Sequence, residues 1–516
     1  MIAPRMRVNR VVLLCLFLLP SVSRTQQDVV DAIDRYCEKA RAEWNLPGMA
    51  VAVVRNDSTV IMRGYGVRTT GTPGRVDDQT LFAIASLSKA FTAASLGMLV
   101  DRGRLTFDSK VSDLLPQFQL FDPFATREMM VRDLLSHRSG LPTYGGDLIW
   151  YGTGHSRAEV LRRARFLKPR HSFRAGYGYQ NIMFLAAGEI IPVLTGRSWE
   201  EFVRDSIFVP LGMTGSTTGV KSLQGLPDVA SPHITHNGKV ITVPYRDVDN
   251  VAPAAAVNSN AWDLSRWMMM WLRDDSTKGP VLLSPQTRNQ IWSAHTPLRI
   301  SPSAQRMMPS RHFSAAGLGW FMYDYRGRKV LHHGGGMDGM TSQIALVPEE
   351  RLGVVVLTNA TESPAAAVAN WILDRFLGGE DYDWSGEALK RRTEGEARTL
   401  ENRTQQEEKR ARGTKPSLAL GDYAGTYRST MYGDVTVRSE RGTLVVRFLP
   451  TASYVADLSH WHYDTFRLTM RDPTLPPGFV TFVLDNAARP SEMKVDIPNP
   501  DFDFGELELK RIGDRQ

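Results

Sequence analysis

The sequence predicts an α/β protein in two parts: a sheet covered by helices, then a small antiparallel β-barrel. Three observations carry this. Val29, Val30, Ile33, Tyr36, Cys37 and Ala40 recur at helical spacing and precede two apolar, β-branched stretches joined at Asn56-Asp57, a helix followed by a hairpin. Residues 384–412 are almost wholly polar with alternating charge, as in Glu387, Lys390, Arg391, Glu394 and Arg403, and read as a solvated connecting helix. Beyond Pro416 come short alternating segments with turn signals between them, the spacing of a barrel of roughly 100 residues.

A chain of 516 residues exceeds what one core usually supports, and 42% hydrophobic with 23% charged residues is ordinary for a globular protein. Residues 1–23 read as an export signal: Arg5, Arg7 and Arg10 precede a solidly apolar run, and Ser21-Val22-Ser23 offers small residues for cleavage. An amphipathic organelle presequence would not be apolar all round. Losing this leader takes the formal charge from +7 to +4, a balance that argues against a nucleic-acid partner. Cys37 is then the lone cysteine, so no intrachain disulfide is expected. No later stretch has the ~18 consecutive apolar residues of a membrane span. The mature protein is expected to be exported, periplasmic or secreted, and soluble; composition leaves its oligomeric state open.

In chain order, the helix of residues 28–45 ends before Pro47, and strands follow at 48–54 and 59–66. An apolar helix begins near Ser86, and residues 131–137 form a short helix ended by Ser139-Gly140-Leu141-Pro142. His137, at the end of that helix, reads as a cap for its last carbonyls. A Gly-rich loop, Phe173 to Asn181, leads into a helix from Ile182 to about Ile191, where Pro192 is expected to stop it. Asn260 caps a helix over 262–272 whose Met and Trp stripe reads as core. Strands are expected at 319–323, 342–347 and 353–359, and barrel segments at 425–427, 435–437, 444–448, 465–468, 480–484 and 507–509.

Three stretches carry chemistry. Ser86-Leu87-Ser88-Lys89 places a hydroxyl and an amine at i and i+3, on one helix face. A serine hydroxyl needs a basic neighbour to act as a nucleophile, although the same pattern also suits an N-cap serine. Ala90 to Val100 has little polar face, so this helix and Lys89 should be buried, and a buried lysine needs a partner or a task. On the second stretch, Tyr177, Tyr179 and Asn181 can point into a cleft while the glycines allow close approach; packing as a tyrosine corner is the alternative. On the third, His333-Gly334-Gly335-Gly336 at a sheet edge can offer backbone N–H groups to an oxyanion, or can be a plain bulge.

Taken in that order and at those separations, Ser86-Leu87-Ser88-Lys89, Tyr179-Gln180-Asn181 and His333-Gly334-Gly335 resemble the three motifs of the penicillin-recognising serine hydrolases. The similarity is nearest to the class C β-lactamase-like branch, with D-Ala-D-Ala carboxypeptidases, D-aminopeptidases and esterases, and the C-terminal segment resembles that branch's lipocalin-like barrel. The resemblance implies a β-lactamase/transpeptidase-like sandwich whose antiparallel sheet comes from both chain ends, with an all-helical region between. It divides the chain into a hydrolase domain at 24–380, a charged helical linker at 381–416 and a barrel at 417–516. It makes Ser86 the nucleophile and Tyr179 the general base, kept ionised by the Lys89 cation. Asn181 would bond substrate or Lys89, and the N–H groups of Ser86 and Gly336 would form the oxyanion hole. Gly334, Gly335 and Ser259 would line the substrate site. No metal or cofactor is implied.

Departures bear on the substrate. His333-Gly334 replaces the Lys-Thr/Ser pair that holds a substrate carboxylate, so esters or peptide amides without one are favoured. Ala255-Ala256 stand where relatives have Gly-Gly and are expected to tighten the cleft wall. The expected activity is ester or amide hydrolysis through an acyl-enzyme, on a small-molecule or peptide substrate. D-Ala-D-Ala carboxypeptidase or β-lactamase activity, and a silent module binding wall fragments or a partner, are the alternatives.

Overall fold

The structure, a computed structural model, describes residues 26–274 and 276–513. The expected export signal lies outside them. Helix α1 (Gln26–Glu43) leads into β1 (Gly48–Arg55) and β2 (Ser58–Gly66). Asn56 and Asp57, both at positive φ (53° and 61°), make the two-residue turn between them, the geometry that matches strand twist and that short polar side chains tolerate.

Six later strands complete an eight-stranded antiparallel sheet: β3 (Thr296–Pro297), β4 (Ser314–Ala316), β5 (Phe321–Tyr325), β6 (Arg328–Met337), β7 (Met340–Val347) and β8 (Leu352–Thr358). Their order is β2-β1-β8-β7-β6-β5-β4-β3, so the two ends of the chain's first part meet where β1 pairs with β8. Along β1 the side chains alternate between two cores. Met49, Val51 and Val53 face α1 and helix α6 (Ala365–Leu377), whereas Ala50, Ala52 and Val54 face the larger helical side. That side holds α2 (Ser88–Asp101), α3 (Val131–Leu135), α4 (Asn181–Thr195) and α5 (Ala261–Leu272). Helix α2 is buried from Ser88 to Leu99, as its missing polar face predicts. Helix α4 runs through Pro192 to Thr195 instead of stopping there; Gly196, left-handed at φ 71°, ends it.

Helix α7 (Trp384–Glu408) is the polar connector, docked at its start where the Trp384 indole donates to Asp374 and exposed over its second half. The barrel closes with eight antiparallel strands in sequence order: β9 (Gly425–Ser429), β10 (Gly433–Glu440), β11 (Thr443–Phe448), β12 (Val455–His462), β13 (Thr465–Met470), β14 (Gly478–Leu484), β15 (Pro490–Asp496) and β16 (Leu509–Ile512). Strands β12 and β15 were not among the sequence's segments. Tyr423, Tyr427, Phe448, Phe466 and Phe482 pack inside the barrel, and its core is continuous with the helical core of the first part. The two parts share direct bonds: Gly146 N donates to Glu506 (2.9 Å), Gly154 N to the Pro450 carbonyl (3.2 Å) and Arg163 to the Met431 carbonyl (2.9 Å). No described helix is long and apolar enough to cross a membrane.

Candidate active site

Ser86 sits in a single 3-10 turn, Ala85–Leu87, that feeds into α2, so it is not the cap of that helix. Ala85 precedes it at φ 47°, a left-handed conformation that an alanine adopts only when its surroundings impose it. One turn on, Lys89 is fully buried, with Nζ 3.0 Å from Ser86 Oγ, 2.7 Å from Asn181 Oδ1 and 3.0 Å from the Ala254 carbonyl. Burial pushes its pKa down to about 7, against the pull of Asp147. A neutral amine has two N–H donors and one lone pair. Asn181 Oδ1, the Ala254 carbonyl and Ser86 Oγ surround the amine, and of the three only the serine hydroxyl can donate to the lone pair that deprotonation frees.

Asn181, the first residue of α4, relays this amine to a second buried group: its Nδ2 donates to Asp147 Oδ2 at 2.6 Å. The Trp150 indole also donates to Asp147, at 2.8 Å, yet burial raises the carboxyl to about 7. Nothing near Asp147 in the sequence distinguishes it from a surface aspartate, and it was missed there.

Tyr179 is buried and its hydroxyl bonds Ser86, an interaction that favours ionisation, but burial holds its pKa well above the usual phenol range. The Lys89 amine lies 4.8 Å from its ring centroid. Desolvation works against the expected order, an ionised Tyr179 beside a charged Lys89, since it disfavours the charged form of both groups. The loop reaches its place because Gly178 has no side chain, since a Cβ there would stand 1.9 Å from the Leu141 carbonyl. Beneath Tyr179 lies His137, its ring stacked at 4.3 Å. Its Nδ1 accepts from Gln180 N at 3.0 Å, and burial holds its pKa well below the usual range. His137 is thus a neutral platform for the Tyr179 loop and not the helix cap expected of it.

Strand β6 passes the end of β5 at His332, so His333 to Met337 pair only with β7 and leave one strand edge open to the cleft. The strand is interior to the sheet, and only its last residues are the expected edge. A Cβ on Gly335 would stand 2.2 Å from the Ile84 carbonyl and 2.3 Å from Ser342 Oγ, so a glycine there is what lets β6 lie against the nucleophile's turn. His333 donates through Nδ1 to the Gly334 carbonyl (2.6 Å), and its buried Nε2 has no partner among the described residues. Burial and the nearby Lys89 hold His333 down to about 3, so it is neutral.

Ser86, Tyr179, Asn181, His333, Gly334, Gly335 and Gly336 line one cleft of about 830 Å³. Ser259 does not line it: its hydroxyl pairs with Ser216 (2.8 Å) in a separate three-stranded sheet. Ala255 and Ala256 are likewise buried outside the cleft wall, where the neighbouring Ala254 serves Lys89 through its carbonyl. The far wall comes from the barrel, for which the sequence left capping the cleft, recruiting a partner and oligomerisation open, through residues 473–476 and 498–502, with the Phe502 ring 4.6 Å from that of Tyr151. Among the described lining residues Asp147, Asp338, Glu362 and Asp501 carry carboxyl groups, and there is no Lys or Arg.

Comparison with known proteins shows the family. The Beta-lactamase family profile matches residues 33–378, and a domain of unknown function, DUF3471, matches residues 409–511. The unguisins hydrolase ungD' of Aspergillus campestris is 29% identical over 431 residues, covering 80% of this chain and 77% of its own. Penicillin-binding protein 4 of Amycolatopsis lactamdurans is 29% identical over 336 residues, 62% of this chain and 82% of its own. In fold, the octameric penicillin-binding protein homologue from Pyrococcus abyssi superposes with a TM-score of 0.61 at 21% identity, over 91% of this chain and 98% of that one. With a serine, an amine and a phenol meeting at one end of a glycine-lined strand, and with the family profile spanning well over half of its length, the chain belongs to the Beta-lactamase family and is a serine hydrolase.

Proposed function

We propose that the protein is an exported hydrolase that opens ester or amide bonds through an acyl-enzyme on Ser86, acting on substrates without a free carboxylate next to the scissile bond. The observation that carries this is the Lys89 amine, drawn by burial to a pKa of about 7 and set 3.0 Å from Ser86 Oγ, the one hydroxyl among its three partners. In the first step Ser86 Oγ bonds the substrate carbonyl carbon and its proton passes to Lys89 Nζ. The negative oxygen that forms is received by the N–H groups of Ser86 and Gly336; a single such donor is typically worth about 3 kcal/mol. Collapse breaks the bond to the leaving group, which takes a proton from the Tyr179 hydroxyl, itself resupplied from Lys89. Water then repeats the sequence on the acyl-enzyme and frees Ser86.

The wall chemistry supports the substrate class. A carboxylate would enter a cleft that offers Glu362 and Asp501 besides Asp147 and the Arg246-paired Asp338, with no guanidinium or ammonium among its described lining residues. The His333 Nε2 lone pair suits a substrate N–H or O–H. Both features weigh against the D-Ala-D-Ala carboxypeptidase and β-lactamase reading. Export rests on the leader-like residues 1–23.

The test is covalent labelling. A fluorophosphonate probe is expected to modify Ser86 and to leave Ser86→Ala unlabelled. Wild type is expected to hydrolyse p-nitrophenyl acetate, and amides of amino acids faster than the corresponding free-carboxylate peptides. Absence of Ser86-dependent labelling and turnover would instead favour a silent binding module.

A further inference from the structure

The turn at the tip of β6 and β7 carries a buried ionic network that reaches into the barrel. Asp338, two residues past Gly336, accepts the Tyr151 hydroxyl at 2.5 Å on both carboxylate oxygens. Arg246 binds Asp338 Oδ2 through Nε (2.9 Å) and Nη2 (2.8 Å) and stacks over the Tyr151 ring at 4.8 Å. The same Nη2 is 3.2 Å from Asp472 Oδ2 in the barrel, and Nη1 is 3.3 Å from Ser453 Oγ. The side chains of Arg246, Asp338 and Asp472 are 15%, 15% and 10% exposed. Asp472 also fixes its own loop, accepting from Thr474 N (3.0 Å) and Thr474 Oγ1 (2.6 Å), and that loop lines the cleft.

We propose that Asp472 and Arg246 are positioning residues, through which the barrel sets the place of the Asp338 turn and thereby of the Gly336 N–H. The strand is paired there on one edge only, with β7. From His333 to Met337 it has no partner on the β5 side, so its height over Ser86 is set by Gly335 resting on Ile84 and by what holds the tip. On the hydrolase side the tip is held at Gly339, which donates to Thr361 Oγ1 (2.8 Å) and accepts from His233 N (3.1 Å). Asp338 supplies the opposite restraint, and Arg246 is its link to the barrel. Burying three charges carries a desolvation cost that a purely adhesive contact between domains would meet with apolar groups. A fork of fixed geometry supplies direction as well as attraction.

The inference rests on the serine-hydrolase reading of the cleft, and the experiment separates the two. In the full chain, kcat and KM for p-nitrophenyl acetate and the affinity for phenylboronic acid, an analogue of the tetrahedral state, are measured alongside thermal unfolding. Arg246→Gln is expected to lower kcat by about 100-fold with KM little changed, and to weaken boronate binding in step, the effect of an ångström-scale misplacement. Arg246→Lys, a point charge without the fork, is expected to recover only part of the loss. Asp472→Asn is expected to lower kcat by about 10-fold, and adding it to Arg246→Gln to cost no more than Arg246→Gln alone, as members of one network do. If Arg246→Gln lowers the unfolding temperature yet keeps wild-type kcat and boronate affinity in the folded range, the network is structural only and the inference falls. If wild-type turnover does not depend on Ser86, the reading beneath it falls as well.

Discussion

Lys89, Asn181 and Asp147 form a buried line in which one amide separates an amine from a carboxyl, both drawn by burial toward neutrality. Such a pair titrates as a unit, but the sign for catalysis is clear. The form of Lys89 that can accept the Ser86 proton is the unprotonated one, which prevails above about 7. The expected kcat/KM therefore rises with pH through that region and falls below it, and Lys89→Met removes the limb with a loss of about 10²- to 10⁴-fold. Asp147 raises the Lys89 pKa, so Asp147→Asn is expected to move the limb to lower pH, read from the same profiles. That Ser86, Lys89, Tyr179 and Asn181 would meet in one cleft was legible only from three motifs in register, since each stretch alone also suits a plain structural role. Their protonation order was not, since it depends on how many atoms from distant segments exclude water around each group. The same holds for His137, which lies just beyond a helix end like a cap but is enclosed by Tyr179, Phe184 and Phe321.

At the scale of elements, β6 works because it can lie close to the turn that presents Ser86. Gly335→Ala would set a Cβ against the Ile84 carbonyl and the Ser342 hydroxyl, two groups that cannot swing away without disturbing the site. It is expected to cost about 100-fold in kcat, checked by steady-state kinetics, together with a lower unfolding temperature. The hairpin of β1 and β2, the buried helix α2 and strands β5, β7 and β8 were legible from period and turn chemistry, whereas β6 read only as a glycine stretch at a sheet edge. Strands β12 and β15 were hidden because Asp457, Ser459 and His460 in one, and Glu492 and Lys494 in the other, dilute the apolar alternation while their partners face the barrel interior. Pro192 misled in the opposite direction: the lost backbone donor is one bond in a helix whose other face is packed on α2 and its neighbours.

Across the whole molecule, the barrel and the hydrolase share one core and a set of polar bonds, while the covalent link between them, the second half of α7, is exposed. Brief trypsin treatment is expected to cut first near Arg398 and Arg403. The two fragments are expected to elute together on gel filtration and to keep their activity; separation of the fragments would show that the contact does not hold unaided. The sequence foretold a barrel but not its station over the cleft, because docking depends on surfaces brought together only in three dimensions. The barrel reaches the cleft at its rim, where Pro473, Pro476, Pro498 and Pro500 stiffen two short spans facing the nucleophile. Exchanging those spans should retune the enzyme's appetite while the bond-breaking apparatus, built on other segments, stays as it is.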